Sequence, residues 1–171
     1  MGMSLAQDIA ILKQIPMLSD FQDDQLRLLA FSAESMDYHD GQRLFEEGER
    51  ADGGLVITNG TVSLQKKGED GFDEVERVGQ GTLLGQTALL TESKRPCRAD
   101  AVGTVSIIRI RRALFKRMIQ EYPELAQRLF EQHSLKYRAT IAALRPIGDK
   151  MVELEQLNAE RRVRDDSKAS E

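Results

Sequence analysis

The chain has 171 residues, 40% hydrophobic and 30% charged, with a net charge of −4, one Cys, two His and no Trp. No stretch approaches the roughly eighteen apolar residues that a membrane span requires, and the amino end lacks a basic-then-apolar signal pattern, so a soluble, cytoplasmic protein is expected. A lone Cys97, with only His39 and His133 beside it, gives neither an internal disulfide nor the spacing of a structural zinc site, which leaves a hydrophobic core to supply stability.

In chain order, Leu5, Ile9 and Leu12 recur at helical spacing until Pro16 closes the segment. A second helix is expected from about Asp23, where two acids suit the positive end of the helix dipole and Leu26, Leu29 and Ala30 form the apolar stripe. From Met36 to Ile110 the texture changes to short apolar stretches cut by Gly-rich turns, with strands expected near 43–45, 55–58, 61–65, 75–78, 99–102 and 105–110. Asn59-Gly60 reads as a type I′ hairpin turn. Many short strands without helices of crossover length indicate a mainly β fold with flanking helices, a double-stranded β-helix or jelly-roll barrel.

Beyond Arg111 the period is helical again. Leu114, Phe115, Met118 and Ile119 form one face of a short helix that ends before Pro123. A longer helix follows, with Phe130, Tyr137, Leu144 and Met151 seven residues apart and His133, Thr140, Ile147 and Leu154 at the complementary heptad positions. Two packings are open for this seam: a helix lying on its own barrel, or a parallel pair that makes a homodimer through Phe130 to Leu144. Pro146 should kink or break the helix. The resulting organisation is a helical segment over 1–35, the barrel over 36–110, carboxy-terminal helices over 111–158, and a charged, disordered tail over 159–171.

Charge follows the same division. Met1 to Ile108 carries 10 basic and 18 acidic residues, and Arg109 to Glu171 carries 14 basic and 10 acidic. Because acids interleave with the basic residues, the second part reads as a solvated helical arm rather than a nucleic-acid surface.

One stretch carries chemistry. In Leu84-Gly85-Gln86-Thr87-Ala88-Leu89, a glycine precedes small and apolar residues inside a β region. One helical turn there would point free N–H groups outward, and an arginine some residues on would complete an anion site. Arg95-Pro96-Cys97 supplies that arginine.

In this order the chain resembles the cyclic nucleotide-binding domain family, which includes catabolite activator proteins and regulatory subunits of cyclic-AMP-dependent kinase. Gly41-x-x-Leu44-Phe45 with Gly48-Glu49-Arg50-Ala51-Asp52, then Leu55-Val56-Ile57-x-x-Gly60, and the downstream spacing of Ala101, Val105, Ile107 and Ile110 extend the likeness from about Ile15 to Leu144.

The resemblance implies a regulatory protein without enzymatic activity that binds cAMP, with cGMP as second candidate, and needs no other cofactor. Leu84 to Ala88, Arg95, Pro96 and Cys97 would form the phosphate-binding cassette, and Thr140 would meet the base. Binding would then move the carboxy-terminal helix toward an effector protein. Two positions depart from the family pattern. Gln86 stands where a glutamate accepts the ribose 2′-hydroxyl, exchanging a charge-assisted bond of about 1.5–3 kcal/mol for a neutral one of about 1. Pro96 has no N–H to give the phosphate, a loss on the order of 2 kcal/mol.

Arg98 is the alternative phosphate ligand; choosing it restores an N–H, from Ala99, but breaks the downstream strand register. Two other readings stay open: a degenerate fold acting as a ligand-independent dimeric module, and a cyclic dinucleotide held by Arg95 and Arg98 together. Only 27 residues follow Leu144, too few for the helix-turn-helix of the activators, so no DNA-binding domain is expected in this chain. Ser63-Leu-Gln-Lys66 resembles an acyl-transfer motif but lies on an alternating strand rather than a helix start.

Overall fold

The structure is a computed structural model and describes residues 4–131. The chain divides into a unit ending at Ala126 and another beginning at Gln127. Within the second, residues 127–131 are helical. Thr140, Pro146, most of the heptad seam and the charged tail lie outside the described residues.

Helix α1 (Leu5–Gln14) starts at Ser4, whose hydroxyl accepts from Gln7 N while Gln7 Oε1 accepts from Ser4 N at 2.9 Å. This reciprocal pair satisfies donors that a helix start leaves open. Helix α1 buries Ile11 and Leu12 and ends before Pro16, which opens a 3₁₀ turn over Pro16–Leu18. Helix α2 (Asp23–Ser32) buries Gln25, Leu26 and Leu29. Its two leading acids fall in the first turn, as the dipole favours.

Among the described residues eight strands follow, all paired antiparallel: β1 (Glu34–Tyr38), β2 (Arg43–Phe45), β3 (Arg50–Ala51), β4 (Gly53–Lys67), β5 (Phe72–Gly79), β6 (Leu83–Leu84), β7 (Ser93–Lys94) and β8 (Arg98–Arg111). The main sheet runs β1-β8-β4-β5, with β2 also on β8 and β6 on β4, while β3 and β7 form a separate pair. The fold is mainly β with flanking helices, a jelly roll whose end strands β1 and β5 do not pair, so the barrel is not closed. Helix α3 (Gln86–Leu90) lies between β6 and β7, and α4 (Arg112–Glu121) follows β8 directly.

Asn59-Gly60 is not a hairpin. Strand β4 passes through it without reversing, and only its register against β8 shifts there. A type I′ turn needs positive φ at both central residues, yet among the described residues only glycines have it, Gly60 at +88° and its counterpart Gly103 at +71°. The local turn signal loses to β8, which offers β4 partners on both sides of it, from Gly53 to Gln65. The expected strands 99–102 and 105–110 are likewise one strand, bent at Gly103. Bulges of this kind bend a strand and increase its twist, which is how a long ladder can curl into a roll.

A Cβ at Gly60 would lie 2.3 Å from the Thr104 carbonyl oxygen. Gly60→Ala should therefore destabilise the fold by about 3 kcal/mol, lowering the melting temperature by roughly 10 °C in a thermal unfolding experiment.

Alternation along the two long strands splits the apolar residues between two layers. Leu55, Ile57 and Val62 of β4 meet Ala99, Ala101, Val105 and Ile107 of β8 inside the roll, with Phe45, Leu84 and Cys97. Val56, Ile108 and Ile110 point to the other face and are also buried. Helices α1 and α4 pack on that side of the sheet, and Phe21 stacks on Phe115 at 6.1 Å between centroids. The helices thus seal the outer face, leaving the inner face for a site.

Candidate functional site

Strand β6 pairs Leu84 with Leu55 and delivers the chain to Gly85. Gly85 takes the left-handed conformation (φ +78°, ψ +40°) and caps α3, with Ala88 N donating to its carbonyl at 3.0 Å. Buried Ala88 and Leu89 anchor the short helix, while Gln86 is half-buried and Thr87 exposed. The first N–H groups of a helix have no partner within it, so this turn presents donors beside Gly85. The expected helical turn is present, at the expected residue.

Arg95 enters from the β3–β7 pair. Its N–H donates to the Glu49 carbonyl at 2.8 Å, and its own carbonyl accepts from Gly48 N at 2.9 Å. These bonds fix the backbone on the rim and send the side chain inward. The residue is only 7% exposed. Its guanidinium lies over the Phe45 ring, 4.5 Å from the centroid, and Nη2 donates to the Gly53 carbonyl at 3.1 Å. Nη1 is buried and has no hydrogen-bond partner. Burial pulls the Arg95 guanidinium below arginine's ordinary value, opposed by the charges of Asp52 and Glu49. A cation held here, with one donor face unsatisfied, is built to receive an anion.

Gly85 and Arg95 meet closely: a Cβ on Gly85 would lie 2.2 Å from Arg95 Nη1. The absent side chain at position 85 is what allows the arginine's free donor to reach the helix start. A cavity of about 270 Å³ continues past Arg95, lined by Tyr38, Phe45, Asp52, Leu55 and Arg109 among others. Arg95 belongs to both features, whereas Gly85 and Gln86 do not line the cavity.

The remaining expected residues are placed as follows. Pro96 is exposed, and Cys97 is buried in the core, where desolvation pushes its thiol above the ordinary value. Arg98 turns to a different set of partners. Its Nε donates to Asp100 at 2.8 Å and its guanidinium covers Phe72 at 4.7 Å. Arg43 Nε reaches the same Asp100 at 3.2 Å. Ser63 donates to Glu74 at 2.6 Å, a pairing unrelated to acyl transfer.

Sequence reasoning did not single out Gly53, Asp52 or Arg109 as site residues. Gly53 contributes only a backbone carbonyl, which no side-chain pattern reveals. Asp52 stood in the motif after β2, but its relation to Arg95 depends on tertiary placement.

The roll, with a short helix capped by a left-handed glycine against a buried arginine, has the fold of a regulatory cyclic nucleotide-binding domain. The chain belongs to the cyclic nucleotide-binding domain family, whose profile matches residues 35–122. It is similar to the cAMP-dependent protein kinase type II regulatory subunit of Drosophila melanogaster, 34% identical over 95 residues, covering 56% of this chain and 25% of that protein. The chain therefore spans about a quarter of the length of that relative.

Among solved structures, a cyclic nucleotide-binding-like protein from Brucella abortus is 38% identical with a TM-score of 0.63, covering 66% of this chain and 97% of that one. The N-terminal domain of a transcriptional regulator from Streptomyces coelicolor is 25% identical with a TM-score of 0.74, covering 78% and 94%. Among the described residues no helix is long and apolar enough to cross a membrane.

Proposed function

We propose that the chain binds a cyclic nucleoside monophosphate, cAMP in the first place and cGMP in the second, and acts as a sensor. The cyclic phosphate would sit between the first turn of α3 and Arg95, the ribose 2′-hydroxyl against Gln86, and the base near Thr140. The observation that carries this reading is Arg95 Nη1, buried without a partner beside Gly85. An unpaired buried donor is costly, and an incoming phosphate oxygen relieves that cost. The pairing of Arg98 with Asp100 favours Arg95 as the phosphate ligand and speaks against a larger anion held by both arginines.

In this reading residues 36–110 are the ligand barrel and 111–158 the responding arm. Binding shifts the arm between two positions by no more than the ligand's difference in affinity for them. The seam from Phe130 to Leu144 is the proposed homodimer contact, through which an effector protein would sense the change.

Calorimetric titration tests the reading. Micromolar binding of cAMP or cGMP is expected; no heat and no thermal shift at millimolar nucleotide would sink it in favour of a ligand-independent module, the role that Gln86 and Pro96 would otherwise suit. Pro96 also makes a graded prediction. Pro96→Ala returns an N–H to the rim and should tighten nucleotide binding by up to about thirtyfold, read in the same titration.

A further inference from the structure

The roll holds a second arginine on its inner face. Along β8 the inward residues are Val105, Ile107 and then Arg109, which pairs across the sheet with Leu55 on one side and Glu34 on the other. Arg109 lines the same cavity as Arg95 and Asp52. Its Nη2 holds Asp52 Oδ2 at 2.7 Å, while Nη1 lies 3.8 Å from Glu34, a carboxylate also held by Arg111 at 2.6 Å.

Asp52 is well placed to quench Arg95. It precedes Gly53, whose carbonyl binds Arg95 Nη2, and its charge acts on Arg95 more strongly than any other carboxylate. The next carboxylate in that respect, Glu49, accepts from Glu46 N at 2.9 Å. Both acids near the anion-binding arginine are thus engaged elsewhere, and Nη1 is left without a partner. A carboxylate released beside an unpaired guanidinium would form a charge-assisted pair with it, and an incoming phosphate would then have to displace that pair.

We propose that Arg109 is a positioning residue for the anion site: by holding Asp52 it keeps this carboxylate of the shared cavity off Arg95 and leaves Nη1 open to a phosphate. The proposal rests on the nucleotide-binding reading above and adds to it a determinant of affinity outside the cassette. Arg109 is also close enough for its own charge to act on Arg95. A purely additive charge effect must therefore be told apart from sequestration.

A double-mutant cycle does so. Wild type, Arg109→Leu, Asp52→Asn and the double variant are titrated with cAMP and with cGMP. Sequestration predicts about tenfold weaker binding for Arg109→Leu, near-wild-type binding for Asp52→Asn, and recovery to within about threefold of wild type in the double variant. An unchanged Arg109→Leu, or an Asp52→Asn effect equal in both backgrounds, overturns the proposal. Arg109→Gln replaces Arg109→Leu if the latter does not fold.

Should wild type take neither nucleotide, the functional reading fails and the positioning role is decided without ligand. The Nε–H resonance of Arg95, assigned by its loss in Arg95→Lys, should then move in the position-109 variant, return in the double variant and stay in place in Asp52→Asn. No movement in the position-109 variant overturns the proposal on its own terms.

Discussion

Arg95→Met is expected to weaken nucleotide binding by at least about a hundredfold while leaving the unliganded protein as stable as wild type or more so. The two effects have opposite signs because one side chain serves two states differently. Arg95 is nearly fully buried with Nη1 unpaired, and its side-chain hydrogen bond goes to the Gly53 carbonyl. Methionine keeps the length and the contact with Phe45 and removes the buried charge, a kind of exchange that stabilises by about 1–4 kcal/mol where packing is kept.

Loss of the Gly53 bond offsets part of that gain, by about 1 kcal/mol. Thermal unfolding without nucleotide, beside calorimetry with it, reads both quantities. A parallel fall in stability and affinity would mean that Arg95 is a structural residue of the roll, and the binding argument would lose its main support.

Gly85→Ala should weaken binding to a similar degree by a different route. Its Cβ would lie 2.2 Å from Arg95 Nη1 and 3.2 Å from the Gly53 carbonyl, so either the arginine leaves its place or the start of α3 shifts. The substitution also puts an alanine at φ +78°, costing about 1–2 kcal/mol of backbone strain. Gly41 separates these contributions, because it has φ +73° and nothing within 4 Å of an added Cβ. Gly41→Ala should lower the melting temperature by a few degrees, about as much as strain alone dictates, and leave nucleotide affinity unchanged. If both alanine variants bind like wild type, Gly85 is a turn residue and not part of an anion site.

The parts of the protein that were readable in its sequence are those where local order decides the outcome. Gly85 to Leu89 reads as a glycine followed by a helical turn because each step is set by neighbours within a few residues, and the structure contains that turn. The helix start at about Asp23 and the stop before Pro16 are local in the same way.

Asn59-Gly60 failed for the complementary reason. Its turn propensity is a local preference worth little against the ladder that β8 extends along β4, and nothing within a short window reveals that partner. Strands β3, β6 and β7 span two residues each, too few for any alternation to register.

The site divides along the same line. Arg95 was visible through its motif, and the strand register already spoke against its rival Arg98, whose partners Asp100 and Phe72 appear only in three dimensions. Arg109 was invisible: in a strand reading Val105, Ile107, Arg109, a charged third member looks like the strand leaving the core. Only the register with Glu34 and Leu55 shows it still facing inward, at Asp52.

The most direct test of the central claim is to titrate isotope-labelled protein with cAMP or cGMP while following the backbone amides of Gln86, Thr87 and Ala88 and the side-chain Nε–H of Arg95. The account predicts that these four signals shift together and saturate at the affinity that calorimetry gives, and that the three backbone amides fail to shift in Arg95→Met. Saturable binding that leaves all four unmoved would contradict it.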